Sequence, residues 1–301
     1  MIKGKSKFGE VTEIKKFISE CEADFERQLR RTAQQIAKSD PKIITICGPT
    51  CSGKTTTANK LLSYIKAEGK RMHVVSFDDF YKDRDVIEHE CKSKGVPLEF
   101  ESASTLDLDL LKSVMLRISN GEDVDIPKFD FKTGKRNGYV KYRLSCEDIF
   151  IFEGIQALYD EVACLYQNFT HFSIYICVED GIKFGSIEFD KETIRFLRRV
   201  VRDRKHRCAS ASTTYRMWRT VRENEDANIF PNTNKADFFI NSTLGYELNV
   251  IKNDALCALN DVKSSDEFYQ NSVKIISMLD KIQSISVDYV PSGSVLREFI
   301  D

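Results

Sequence analysis

The chain has 301 residues, 42% hydrophobic and 11% aromatic, enough for a buried core in one large or two modest domains. Its 45 Lys and Arg nearly balance its 46 Asp and Glu, so the formal net charge of −1 excludes a global electrostatic case for nucleic acid or an acidic membrane as partner. Nine scattered cysteines without a C-x-x-C pair, and four histidines isolated from them, indicate neither a disulfide framework nor a zinc site.

The opening MIKGKSKFGEVTEIKKF lacks an apolar signal core, and no stretch approaches the roughly 18 uncharged apolar residues of a membrane helix. A cytoplasmic chain is expected, with a small-molecule substrate and neither nucleic acid nor membrane as partner. From residue 10 to 38, apolar residues (Ile14, Phe17, Ile18, Cys21, Phe25, Leu29, Ala33, Ile36) recur at helical spacing, and Asp40-Pro41 ends the helix they predict. Ile43 to Cys47 reads as a buried strand, followed by glycines and a helix from about Lys54 to Ala67. Further strands are expected at Arg71 to Phe77, Asp148 to Glu153, Phe172 to Val178 and Asp237 to Asn241. Helical patterns alternate with them at Leu106 to Ser119, Ala157 to Tyr166 and Glu192 to Arg207, the sign of a parallel α/β sheet. Asp83 to Glu101 is highly charged and weakly periodic, while Val124 to Leu144 reads as a hairpin turning around Lys132 to Gly138. Both are candidate lids or pocket walls. A long helix from Asp266 to Ile282 and the tail VPSGSVLREFID close the chain.

Gly48-Pro49-Thr50-Cys51-Ser52-Gly53-Lys54-Thr55 fits G-x-x-x-x-G-K-[ST] between a strand and a helix, where its mechanism requires it. Glycines let the backbone N–H groups turn inward toward phosphate oxygens, and the helix adds its positive dipole end. Gly48, Thr50, Cys51, Ser52, Gly53, Lys54, Thr55 and Thr56 are therefore the expected binding residues for ATP. Lys54 would bridge the β- and γ-phosphates and Thr55 would ligate Mg²⁺.

A phosphate loop alone leaves the phosphoryl acceptor open, as water or a bound hydroxyl. Ser76-Phe77-Asp78-Asp79-Phe80-Tyr81 follows the second strand, which sets carboxylates at a strand's C-terminal edge beside the loop. Asp78 can take the proton of an attacking hydroxyl, or Asp78 and Asp79 can cap the next segment, and Tyr81 can be pocket or core. The run Ile149-Phe150-Ile151-Phe152-Glu153 has the form of a strand whose terminal acid reaches Mg²⁺, although Glu153 can also cap the helix after it. Arg195, Arg198, Arg199, Arg202, Arg204 and Arg207 fall on one predicted helix, with Arg195, Arg199 and Arg202 on one face. Such a face is either solvated or a clamp for phosphates. Lys128, Lys132, Lys135 and Arg136 on the hairpin face either the pocket or solvent.

GPTCSGKTT, SFDDFY, PKFDFKTGKR, FEGIQALY and RFLRRVVRD stand in the order found in the uridine kinase/phosphoribulokinase family, which the chain resembles over about residues 42 to 245. A uridine-kinase-like branch also shares RMWRTVRENEDANIFP and SVLREFI, and its larger members carry an extra N-terminal domain where this chain has a short helical extension. The resemblance implies a P-loop NTPase-type α/β fold, with a parallel sheet flanked by helices, a hairpin or lid insertion and added terminal helices. It implies three parts: an N-terminal extension at 1–41, a P-loop kinase domain at 42–260, and a C-terminal helix and tail at 261–301 packed on that domain.

By the same resemblance, Asp78 is the catalytic base, with Lys54 and Arg199 assisting. Thr55, Asp78 and Glu153 form the Mg²⁺ shell, and Arg202 and Arg207 contact phosphates. Tyr81, Glu101, Phe129, Arg136 and Arg199 face the acceptor, expected to be the 5′-hydroxyl of uridine or cytidine. Family precedent also makes a homo-oligomer an expectation. Departures fall at the nucleoside pocket. The usual F-D-H-P-D is Phe100-Glu101-Ser102-Ala103-Ser104 here, the pocket histidine's place falls near Gly134, and Met217 and Trp218 stand where a base-reading Gln is expected. A sugar, polyol or sugar phosphate as acceptor, or a nucleotide-binding regulatory role without turnover, are the competing readings.

Overall fold

The computed structural model describes residues 1–67, 71–95, 100–145 and 148–301. A short strand β1 (Ile2–Lys3) precedes the 29-residue helix α1 (Val11–Ser39), which stops at Asp40 in the left-handed conformation. Strand β2 (Ile43–Cys47), buried throughout, runs through the glycine loop into α2 (Lys54–Ala67). Then come β3 (Met72–Ser76), a tight turn at Phe77–Phe80, and helices α3 (Arg84–Lys94) and α4 (Leu108–Ser119). The hairpin β4 (Val124–Asp130) and β5 (Lys135–Tyr142) leads to β6 (Ile149–Glu153), α5 (Asp160–Tyr166) and β7 (His171–Cys177). Two three-residue strands, β8 (Ile182–Phe184) and β9 (Ile187–Phe189), precede α6 (Lys191–Arg207) and α7 (Ala211–Asn224). Strand β10 (Phe238–Asn241) and helices α8 (Glu247–Asn260), α9 (Tyr269–Leu279) and α10 (Arg297–Ile300) complete the chain.

The central sheet has five parallel strands in the order β10-β7-β2-β6-β3. Strands β2 and β6 are buried at every residue, which is why each reads as an unbroken apolar run rather than an alternation. The connection from β2 crosses to β3 at one edge before the chain returns to β6, and β7 then pairs on the other side of β2. The crevice of an open α/β sheet forms at such a switch point, here at the C-terminal end of β2. One apolar core packs α1, α2, α6, α8 and the tail on one face, through residues such as Phe25, Leu61, Leu197, Ile251 and Phe299. The other packs α4, α5 and the Phe77–Phe80 turn, through Leu111, Val162 and Phe152.

Four local expectations are corrected, and one small sheet was not expected. The charged segment after Asp83 contains the helix α3, in which only Ile87 is buried, so a single anchor leaves no stripe to read. The hairpin turns at residues 131–134, earlier than expected, and Gly138 lies within β5 beside a register shift between Pro127 and Phe129. The C-terminal helix is shorter than 266–282, because the Asp266 side chain accepts from Phe268 N and closes a turn ahead of it. Ala157 and Leu158 belong to a tight turn that precedes α5. Strands β1, β8 and β9 form a small separate sheet, too short for an alternation to register. Residues 96–99 and Cys146 lie outside the described residues. Among the described residues, no helix is long and apolar enough to cross a membrane.

Candidate active site

The glycine loop is shaped by contacts a side chain would forbid. A Cβ on Gly48 would lie 2.1 Å from the Ile176 carbonyl of β7, and Gly53 has φ of +92° with Val295 Cγ2 only 2.2 Å from its would-be Cβ. Cys51, buried, also adopts the left-handed conformation (φ 60°), so the loop curls tightly back toward α2. Lys54 Nζ folds over the loop and donates to the carbonyls of Gly48 (2.9 Å) and Pro49 (3.2 Å). The Ser52 hydroxyl is buried without a hydrogen-bond partner. Helix α2 starts at Lys54, so the first N–H groups of its opening turn have no acceptor within the helix.

Neighbouring strands deliver the acids. Ser76 at the end of β3 and Ile46 of β2 both stand opposite Glu153 of β6, so three strand ends meet beside the loop. The Asp-Asp pair divides its work. Asp79 accepts from Lys128 Nζ (2.5 Å) and Phe129 N (3.3 Å), fastening the hairpin, whereas Asp78 lines the cleft. Phe77 and Phe80, both fully buried, lock the turn that aims Asp78, with Phe77 packed 5.7 Å from the Phe152 ring. Burial lifts the Asp78 carboxyl above the usual carboxylate range, with Lys54 pulling the other way. Burial also pushes Glu153 up to about 7, again against Lys54. The Thr55 hydroxyl donates to Glu153 Oε1 (3.3 Å).

The arginine helix splits into two groups. Arg195, expected on the clamping face, is committed to a buried ion pair with Glu225 and to the Thr50 carbonyl (3.2 Å), and it lies over the Trp218 ring. Arg198 is wholly buried, held by Glu247 (2.6 Å) and by the carbonyls of Cys51 (3.1 Å) and Ser242 (2.8 Å). Arg199, Arg202 and Arg207 instead line the cleft and share the buried carboxylate of Asp203, at 3.2, 3.0 and 3.5 Å. Arg199 also reaches the Thr50 hydroxyl (3.4 Å).

On the far side, Tyr81, Phe100, Glu101, Ile155 and Met217 complete a cleft of about 420 Å³ with Lys54, Thr55 and Glu153. Tyr81 donates to the Phe100 carbonyl (2.9 Å) and accepts from Gln156 Nε2 (3.2 Å). Glu101 accepts from Asn224 Nδ2 (2.8 Å), which also donates to the Tyr159 hydroxyl. Phe129 and Arg136 stand behind this wall rather than in it: Phe129 packs on Tyr81 at 5.6 Å, and Arg136 binds the Tyr81 carbonyl and Asp107. Lys135 pairs with Asp85. The Arg84 side chain lies directly over Gly134, which leaves no room there for an imidazole. Sequence reasoning missed Asp203, Gln156, Asn224 and Glu298, the last of which also lines the cleft. Only the acid inside the apolar LREFI run offered a signal for Glu298.

A hydroxyl, the buried Glu153 carboxylate and the partly buried Asp78 carboxylate around one space form an all-oxygen donor set suited to Mg²⁺, which binds through few carboxylates plus phosphate and water. A cation there would also offset the burial cost that raises Glu153. Among the described residues no group of three His, Cys, Asp or Glu side chains gathers as a metal cage.

Loop, acid-bearing strand ends and arginine helix converge only because the strand order brings them to one crevice, and that convergence defines a P-loop phosphotransferase. Residues 43–245 match the Phosphoribulokinase / Uridine kinase family, and the chain belongs to it. It is 27% identical over 201 residues to the uridine kinase of Lactobacillus helveticus (strain DPC 4571), covering 66% of this chain and 86% of that one. It is 26% identical over 201 residues to uridine-cytidine kinase B of Dictyostelium discoideum, covering 66% and 74%. Among solved structures, phosphoribulokinase from Rhodobacter spheroides aligns over 66% of this chain and 69% of that one, at 15% identity and a TM-score of 0.44. Members of this family transfer phosphoryl groups to hydroxyls of small molecules.

Proposed function

We propose that the chain is an ATP- and Mg²⁺-dependent kinase that phosphorylates the 5′-hydroxyl of a pyrimidine nucleoside, uridine or cytidine. The observation that carries this reading is Asp78: the Ser76 hydroxyl caps its turn and Asp79 holds the hairpin, which leaves the Asp78 carboxylate on the cleft that Lys54 and Glu153 share. Asp78 accepts the proton of the attacking hydroxyl, while Lys54, Arg199, Arg202 and Arg207 offset charge on the transferring phosphoryl group. Thr55, Asp78 and Glu153 hold Mg²⁺, which neutralises phosphate charge when bound. Tyr81 and Glu101 orient the acceptor.

A neutral acceptor is favoured over a sugar phosphate by the state of the hairpin cations. Three of the four hairpin cations, Lys128, Lys135 and Arg136, are paired with Asp79, Asp85 and Asp107 and offer little charge to an anionic substrate, which leaves Lys132 at the turn as the remaining one. Tyr81, Phe100, Ile155 and Met217 instead give the acceptor side an apolar lining that suits a base. The relatives named as uridine and uridine-cytidine kinases support the same choice. ATP consumption across a panel of nucleosides, sugars, polyols and sugar phosphates tests it. Turnover with uridine or cytidine is expected. Activity confined to a sugar, polyol or sugar phosphate would replace the acceptor, and nucleotide binding without acceptor-dependent turnover would replace the kinase reading with a regulatory one.

A further inference from the structure

The last helical turn of the chain reaches the phosphate loop. Glu298 Oε2, on α10, accepts from both Thr56 N (3.3 Å) and Thr56 Oγ1 (2.9 Å), and the side chain lines the same cleft as Lys54. Both donors belong to the opening turn of α2, where N–H groups are left over for an anion and the helix dipole favours one. The seat a nucleotide phosphate would take at Thr56 is thus engaged by a carboxylate of the chain itself.

The tail that carries Glu298 is not built to leave. Val295, Leu296, Phe299 and Ile300 are buried, the Phe299 ring lies 5.1 Å beneath the Arg198 guanidinium, and Ser294 meets the Tyr246 hydroxyl at 3.1 Å. The movable part is therefore one side chain. Arg202, on the same cleft, lies near enough for the two charges to interact, so the carboxylate has a cationic neighbour toward which to swing.

We propose that Glu298 sets the nucleotide affinity of this site, by competing with the phosphates of a nucleoside triphosphate for Thr56 and giving way when they bind. The inference rests on the phosphate-binding reading of the loop and extends it, since two anions cannot share the same pair of donors without strong repulsion. Loss of the charge should therefore tighten binding rather than weaken it. Glu298→Gln keeps one acceptor oxygen of the same reach but removes the charge and puts an NH2 donor in place of the other oxygen, while Glu298→Ala removes acceptor and charge without adding a donor.

Calorimetric titration of the full chain and both variants with ATP, and separately with inorganic tripolyphosphate, tests the proposal, with melting temperatures taken on the same samples to confirm folding. Both variants should bind both ligands about tenfold more tightly than wild type. Weaker ATP binding with unchanged tripolyphosphate affinity would assign Glu298 to the sugar and overturn the competition. Unchanged affinities, or weaker binding of both ligands, would make Glu298 a structural cap of Thr56 and overturn it equally. Failure of all three proteins to bind either ligand would bring down the phosphate-loop reading and the proposal together, whereas tighter binding in the variants without turnover of any acceptor would sustain the proposal and count against the kinase reading alone.

Discussion

The Thr55 hydroxyl donates to the Glu153 carboxylate at 3.3 Å, joining the first turn of the helix after the phosphate loop to the end of the neighbouring strand. Asp78 lines the same cleft from the turn beyond the next strand, and burial raises both acids while Lys54 restrains the rise. Lys54 offsets part of the burial cost of both carboxylates, so its removal should raise both further.

Asp78→Asn tests the assignment of the base. Transfer should fall by about 10²–10⁴-fold, the usual contribution of a positioned general base, while ATP binding persists. Single-turnover kinetics and equilibrium nucleotide binding, measured on the same preparation, separate the two effects. Full activity in the variant would remove Asp78 from the role.

Gly53→Ala should be costly for two separable reasons. The new methyl would meet Val295 Cγ2 at 2.2 Å, and a φ of +92° is unfavourable for any residue with a Cβ. A lower melting temperature and loss of nucleotide binding are expected. Val295→Ala introduced alongside relieves the contact but not the backbone strain, so thermal melts should recover in part while binding stays impaired. Complete recovery of both would show that the torsion matters little.

Tyr81→Phe leaves the ring in place but strands Gln156 Nε2, a fully buried donor whose bond to the Tyr81 hydroxyl is 3.2 Å. Leaving such a group unpaired costs about 1–3 kcal/mol. On the proposed assignment of Tyr81 to the acceptor side, the acceptor KM should rise with the nucleotide Kd unchanged, since the phosphate loop is untouched. Equal losses on both sides would place Tyr81 in the general architecture instead.

Stability should depend on pH through Glu26, which joins α1 to α2 by bonds to Lys60 and Tyr64. Burial pushes its carboxyl up, but those two partners outweigh burial and hold it below the ordinary value of 4.5. A carboxyl lowered by folding contributes stability above its unfolded pKa and loses it as pH falls through the folded value. Glu26→Gln should therefore cost about 1 kcal/mol near neutrality, and the gap from wild type should close in acid. Urea titrations at a series of pH values measure it, and a gap that stays constant into acid would exclude the linkage.

The donor half of the site was legible because its parts are local. Gly48 to Thr55, Ser76 to Tyr81 and Ile149 to Glu153 each hold strand, turn and chemistry within a few residues, so periodicity places the side chain as well as naming it. Where partners are remote, that reasoning stops. Nothing near Arg195 signals that Glu225 neutralises it, and nothing near Thr56 points to Glu298, 242 positions away. The proposed acceptor wall lies between these extremes. Tyr81 and Glu101 were visible as residue types, but the Asn224 and Gln156 groups that hold them come from distant elements. Helix α3 escaped notice because only one of its side chains is buried, and amphipathic reading needs a stripe.

Arg198 and Glu247 are both fully excluded from solvent, and their pairing binds the phosphate loop to the last strand's exit through Cys51 and Ser242. Loss of either partner would leave a naked charge in the interior, at a cost of about 3–5 kcal/mol, a large share of the stability of an ordinary domain. Evolution has few single-step exits from that arrangement. Across descendants of a common ancestor, the two positions should be inherited as a linked couple, kept together or exchanged together for an uncharged pair, and intermediates bearing only one of them should be rare.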